Sequence, residues 1–407
     1  MTQSLKLSRR SLFRTAALGT MAGISACGRH DDGPVPETDL YSSRDLRPLA
    51  QFPEKAPLIL LTDRPPQLET PLHYFREDMT PNEAHFVRWH LSGIPTSVDV
   101  KEWRLEIAGN VGRPLSLTLD ELQKKFEPVS LVAVNQCSGN SRSLFDPRVP
   151  GGQWRNGAMS NALWTGVRLK DILGRANLSP GTVEVSFSGL DKPPLAATPD
   201  FEKSLPLDMA NNPDVLVAYS MNHKPLPMLN GFPVRLVVPG WYATYWVKSL
   251  SRITVRKAPL HNFWMDKAYR IPNNRLADET PAQQSTNTVP INKLAIHSIF
   301  VSPEPGETVA AGKMVELQGL AMDSGQGIRR VEFSTDAGAN WKEAKLDAEL
   351  GRYSWRRWRA PWTPPSKARY RLMVRATNGA GETQPPKQWN HSGYQRSMIE
   401  HMDVRAV

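Results

Sequence analysis

Two cysteines occur in 407 residues, Cys27 and Cys137. Cys27 closes a segment with the layout of an export signal, so the exported chain would hold one thiol and could form no internal disulfide. Cys137 sits in Val132-Ala-Val-Asn-Gln-Cys137-Ser-Gly-Asn-Ser-Arg142. The apolar run Leu131–Val134 reads as a buried strand, and Ser138–Arg142 as a small polar turn. A thiol at the mouth of a strand, beside backbone amides and an arginine, is expected to have a lowered pKa and to act as a thiolate. Thiolate is a good ligand for a soft metal centre. A buried structural cysteine is the competing reading.

Other chemistry-bearing residues flank this turn. Upstream lies Phe86-Val-Arg88-Trp89-His90. Downstream lie Trp154-Arg-Asn-Gly-Ala-Met-Ser-Asn-Ala-Leu-Trp164, Asn222-His-Lys-Pro-Leu-Pro227 and Asn230-Gly-Phe-Pro-Val-Arg235, followed by Val247-Lys248. Arg235 lies between two apolar runs, which disfavours a solvated face.

The first residues carry Ser8-Arg9-Arg10-Ser11-Leu12-Phe13-Arg14, then a mild apolar stretch from Thr15 to Ala26. This is a twin-arginine export pattern. It is too short and polar to span a bilayer, and no other segment is apolar enough. Export of an already folded protein suits one that receives a complex cofactor in the cytoplasm, so a periplasmic location is expected. Ile24-Ser25-Ala26-Cys27 also resembles a lipoprotein box; Cys27 either carries a lipid or is discarded.

The length allows two domains. The net charge is +10, of which Lys6, Arg9, Arg10 and Arg14 supply four. No Lys/Arg block or nucleic-acid motif is present, which argues against DNA or RNA as a partner. A modest positive surplus fits an anion-binding site. With 35 prolines and 27 glycines, strands and loops are favoured over helical bundles.

The elements that must position these residues follow from pattern. Residues 28–80 are polar and proline-rich and read as an extended arm. Residues 81–285 read as an α+β domain with mixed strands: Val100–Ile107, Val129–Val134, Val183–Ser188, Val215–Ser220, Val234–Val238 and Lys248–Val255. Thr118–Lys125 and Arg168–Arg175 read as helices, the first opening on a capping box. Pro272–Pro290 reads as a linker. Residues 290–407 alternate as antiparallel β, with Val315–Ala321, Ile328–Ser334, Tyr353–Trp358 and Tyr370–Thr377, and suggest an immunoglobulin-like sandwich.

In order and spacing the motifs resemble the sulfite oxidase family of molybdenum enzymes, and within it the bacterial periplasmic sulfite dehydrogenases. The resemblance covers nearly all of residues 80–400. It implies a mixed α/β molybdopterin-binding domain followed by the sandwich, which in the family forms a dimer interface. It implies one pyranopterin dithiolene on molybdenum, with Cys137 matching the protein thiolate. Arg88, Trp89, His90, Asp191, Asn230, Arg235, Trp246, Val247 and Lys248 match positions around the cofactor. Arg88, Arg142 and Arg356 match the family's three anion-binding arginines, with Arg357 as an alternative to Arg356. Trp154 matches a wall of the substrate pocket, and Tyr269 a tyrosine near the reactive oxygen. The chain departs from the family at Trp89, where asparagine is common, at Asn230, where histidine is common, and in the bulky run Trp241–Trp246.

The implied reaction is oxygen-atom transfer to sulfite. No Cys-x-x-Cys-His is present, so a separate c-type cytochrome is the expected electron acceptor and a homodimer the expected assembly. Two alternatives stand beside it: a sulfane dehydrogenase subunit of a thiosulfate-oxidising complex, and a cofactor-free exported binding protein.

Overall fold

The computed structural model describes residues 47–407. The twin-arginine segment, Cys27 and the arm up to residue 46 lie outside the described residues. No described helix is long and apolar enough to cross a membrane.

Two five-stranded sheets form the body of the first domain. One has the strand order Glu202–Pro206, Glu184–Gly189, Leu250–Arg256, Leu105–Gly109, Leu115–Leu117. It is mixed, since Leu250–Arg256 runs parallel to Leu105–Gly109 while its other pairings are antiparallel. The second is antiparallel, in the order Lys224–Pro225, Leu216–Met221, Met159–Arg168, Pro128–Gln136, with Arg235–Val237 also paired to Leu216–Met221. Two short helices cover the sheets. Leu119–Lys125 opens with the expected reciprocal cap, Glu121 N–H donating to Thr118 Oγ1 at 3.1 Å and Thr118 N–H to Glu121 Oε2 at 3.0 Å. Leu169–Ala176 buries Leu169, Ile172, Leu173 and Ala176, the spacing of one helix face. Both sheets contribute to a core that includes Trp164, Val167, Phe187, Leu236 and Ile253.

Four expectations are corrected. The strand read from Val100 begins at Leu105, because Asp99 turns the chain by accepting from Lys101 N–H and Trp103 N–H. Met159–Arg168, the longest strand of this domain, is absent from the sequence reading; its buried Ser160 and Asn161 break the apolar run that reveals strands such as Val129–Val134. The arm is structured where described. Leu49–Ala50, Leu58–Thr62 and Gln67–Glu69 pair in sequence, and Gln67–Glu69 pairs with Val87–Arg88. The supposed linker is closed by Arg270–Pro272 pairing with Thr288–Pro290, and its Asp278 and Glu279 carboxylates accept from the backbone of Trp389 and His391.

The second domain is a sandwich. One sheet has the order His297–Ser302, Val315–Met322, Arg356–Trp362, Lys345–Leu346; the other has Thr308–Val309, Glu400–Ala406, Arg369–Asn378, Ile328–Ser334, Lys342–Glu343. Its core includes Leu317, Val331, Trp358, Leu372 and Val374. A smaller core spans both domains: Phe75, Val134 and Met159 pack with Ile299, Leu320 and Trp355. Val134 N–H donates to Tyr353 O at 2.9 Å, and Asn161 Nδ2 to Ser354 Oγ at 2.9 Å. Buried apolar contact with satisfied polar groups fixes the two domains against each other.

Candidate active site

Cys137 sits at the last rung of a ladder. Gln136 pairs with Met159, and Cys137 N–H donates to Ala158 O at 2.9 Å. The chain then turns sharply. Asn140 N–H donates to Cys137 O, Arg142 N–H to Gly139 O, and Ser141 takes φ 65°. Phe86, Trp154 and Ala158 pack around the cysteine on one side. On the other it lines a partly open pocket.

The lining has a clear chemical character. Arg88, His90, Arg235 and Lys248 lie on it with Cys137, Tyr269, Asn135, Ser138, Asn230 and Thr244, and among the described residues no carboxylate does. Arg235 is buried. Its terminal nitrogens donate to Asn230 O at 3.1 Å and Trp246 O at 3.2 Å, and its guanidinium faces the Trp164 ring at 5.1 Å. Burial lowers its pKa to about 9. Lys248 donates to Arg88 O at 2.7 Å and lies 4.6 Å over the Trp89 ring. Burial, then Arg235, brings it to about 7. Asp191 is the nearby counter-charge; burial raises its carboxyl and Lys248 opposes the rise. Cations gathered in low dielectric with so little compensation are costly unless an anion joins them.

Tyr269, at φ 57°, places its hydroxyl 2.5 Å from His90 Nε2. His90 stacks on Phe201 with centroids 3.7 Å apart. Burial, Arg88, Lys248 and Lys203 hold His90 well below its ordinary pKa, in the neutral form.

Several buried polar atoms on the lining have no partner: Asn135 Nδ2, Ser138 Oγ, Arg235 Nε and Thr244 Oγ1. Unsatisfied buried groups are rare in folded proteins, and four of them gather on this one lining. One thiol, unpaired donors and surplus cations together suit a soft metal, a polar heterocycle and a phosphate.

The comparisons decide the family. Residues 91–264 match the oxidoreductase molybdopterin binding domain, and residues 288–403 the Mo-co oxidoreductase dimerisation domain. The chain is 33% identical over 363 residues to chicken (Gallus gallus) sulfite oxidase, covering 85% of this chain and 78% of that protein. The chain belongs to the sulfite oxidase family of molybdenum enzymes. It is 35% identical over 354 residues to human (Homo sapiens) mitochondrial sulfite oxidase, covering 83% of this chain but only 63% of the length of that relative. The fold matches the sulfane dehydrogenase SoxCD of Paracoccus pantotrophus with TM-score 0.73 at 23% identity, over 94% of this chain and 92% of that one. A molybdenum-pterin oxidoreductase of this family is what the cavity's residues fit.

Of the residues expected from sequence, the structure brings Arg88, His90, Cys137, Asn230, Arg235, Lys248 and Tyr269 onto one cavity. Trp89 supports it from behind, its Nε1 donating to Leu229 O and its ring under Lys248. Trp246 packs on Trp164 and accepts from Arg235 through its carbonyl. Val247 is buried and carries backbone bonds to Leu236 and Tyr245. Trp154 packs against Cys137 and is buried, off the lining. Arg142 is also buried, but its guanidinium is directed to backbone carbonyls of Gly393 at 3.0 Å, Gly152 at 3.4 Å and Ser392 at 3.5 Å.

Arg356 is not brought to the site. Its Nε donates to Asp347 O and its NH1 to Ile328 O, both at 2.9 Å, within the sandwich. Arg357 pairs with Asp78 and Asp347 instead. Trp355 and Trp358 are buried in the two cores, and this pins the intervening arginines. The second domain reaches the first-domain turn through Asn390–Arg396: Gly393 O meets Arg142, and Gln395 N–H donates to Ser138 O.

Sequence reading also misses Lys55, whose Nζ donates to Asn230 Oδ1 at 2.8 Å and Asn82 O at 2.7 Å. A single lysine in a proline-rich arm carries no pattern that could have revealed it.

Proposed function

We propose that this chain oxidises sulfite to sulfate at a molybdenum-pterin centre and hands the electrons to a separate c-type cytochrome. The observation that supports this most directly is the thiol of Cys137 on a cavity lined by Arg88, Arg235 and Lys248 without a carboxylate. Cys137 would hold the metal. Asn135, Ser138, Asn230 and Thr244 would meet the polar edge of the pterin, and Arg235 with Lys248 its phosphate. When bound, the group supplies oxygen-atom transfer and takes up the two electrons released.

The protein's own share is electrostatic and geometric. Arg88 and the neutral His90–Tyr269 pair would face a small dianion in a partly buried site, where fixed donors act more strongly than in water. Tyr269 is held protonated, because burial raises its hydroxyl far above the ordinary value, so it donates a hydrogen bond at working pH. Arg142 adds positive potential from behind the Cys137 turn. Export by the twin-arginine route to the periplasm and a homodimer through the second domain complete the reading.

The test combines metal analysis with turnover. About one molybdenum per chain and sulfite-dependent reduction of cytochrome c are expected. A protein that ignores free sulfite and acts only on protein-bound sulfur is the sulfane dehydrogenase alternative. Cys137→Ser should fold but lose both metal and activity; appreciable sulfite oxidation by that variant would remove the ligand assignment.

A further inference from the structure

The last segment of the chain reaches the site by a specific staple. Asn390 is fully buried. Its Nδ2 donates to Ala277 O at 2.9 Å and Tyr394 O at 3.0 Å, and its Oδ1 accepts from Ser392 Oγ and Tyr394 N–H. Gly393 at φ 64° and Gln395 at φ 54° turn the backbone on either side of Tyr394. The half-buried Tyr394 ring is thereby set against two groups of the first domain. The Arg142 guanidinium lies 4.8 Å from its centroid. The Tyr269 ring lies 5.3 Å away, 18° from parallel.

The charged and polar ends of these two groups have defined partners besides Tyr394. Arg142 has three backbone carbonyls, two of them on Ser392 and Gly393, the residues preceding Tyr394. No carboxylate partner of Arg142 is present among the described residues. Tyr269 has the His90 contact at its hydroxyl, and the Tyr394 face is the aromatic surface stacked parallel to its ring. Cation–π and stacked aromatic contacts are short-ranged and orientation-dependent, so the ring fixes direction as well as distance.

We propose that Tyr394 is a positioning residue of the anion pocket. It does not line the cavity. It acts through Tyr269, whose hydroxyl faces the cavity, and through Arg142, whose charge it holds in place behind the Cys137 turn. The aromatic face does this; the Tyr394 hydroxyl is not needed. This inference rests on the reading that the cavity takes sulfite.

The test uses the full-length molybdenum-loaded protein and two probes, sulfite turnover and binding of inorganic sulfate by calorimetry. Tyr394→Leu should raise KM for sulfite and weaken sulfate binding roughly ten-fold each, the size expected for loss of one cation–π and one stacking contact, with kcat within about two-fold. Tyr394→Phe should match the wild type in all three. Tyr394→Met keeps most of the volume without an aromatic face and reads the same quantities if the leucine form does not fold. Unchanged KM in the leucine and methionine forms, a fall in kcat alone, or a phenylalanine form as poor as the leucine form would overturn the positioning role while leaving sulfite oxidation intact. A wild type that binds sulfate ten-fold more tightly than Tyr394→Leu yet does not oxidise sulfite would keep the positioning role and remove the reaction. No sulfate binding by the wild type would overturn the inference.

Discussion

Lys55 Nζ and Asn230 Oδ1 are 2.8 Å apart although 175 positions separate them in the chain. The contact fixes which way the Asn230 amide faces: its Oδ1 turns to the lysine, and its Nδ2 donates to Phe86 O at 3.1 Å. The arm therefore fixes the orientation of an amide on the cavity wall. The lysine gives up hydration to do so, and burial brings it from 10.5 to about 7.

This makes stability depend on pH in a defined direction. Lys55, Lys203 and Lys248 all stand at about 7, in each case chiefly through burial. Unfolded, each keeps its proton up to 10.5. Between these values the unfolded chain binds more protons than the folded one, so stability rises with pH. Each lysine contributes up to about 1.4 kcal/mol per pH unit within that window and nothing further below it. Denaturant midpoints of the cofactor-free protein should increase from pH 7 to 9. Lys55→Met should flatten that rise, and an anion bound beside Lys248 should flatten it too. A midpoint that falls over this range would contradict the buried-lysine account.

Gly393 tests the domain junction without touching the cavity wall. A Cβ there would lie 2.6 Å from Arg142 Nε and 2.7 Å from Val149 Cγ2, on a backbone at φ 64°. Gly393→Ala should cost about 1–3 kcal/mol by overpacking and displace Arg142. Urea unfolding gives the first quantity, and the KM for sulfite should rise in parallel. A variant with wild-type KM would show that Arg142 has no part in substrate binding.

Arg356→Ala should leave KM unchanged within about two-fold, since its two hydrogen bonds stay inside the sandwich. The expected loss is in stability alone, about 0.5–1.5 kcal/mol for each bond. A large rise in KM would restore the original assignment of this residue to the anion pocket.

How much could be read beforehand follows from where each residue sits. Cys137 was legible because it ends an apolar strand and begins a polar turn, a change of character that local sequence displays. Arg235 was legible for the related reason that apolar runs flank it. Arg356 misled because two tryptophans around two arginines give no hint of which core each ring enters. Tyr394 and Lys55 were silent: each acts across more than a hundred residues, and nothing in its immediate neighbours encodes the partner. The strand Met159–Arg168 was hidden by Asn161, whose buried amide nitrogen donates to Asp78 O and Ser354 Oγ from elsewhere in the chain.

Two of the three carbonyls that hold Arg142 belong to Ser392 and Gly393, 250 and 251 positions further along the chain. During synthesis the Cys137 turn emerges long before they do. A nascent polypeptide therefore holds this arginine through Gly152 alone, and a copy cut short before residue 392 would leave two of its three contacts unmade. Arg142 gains its full set of contacts only once residues 392 and 393 have docked on the turn.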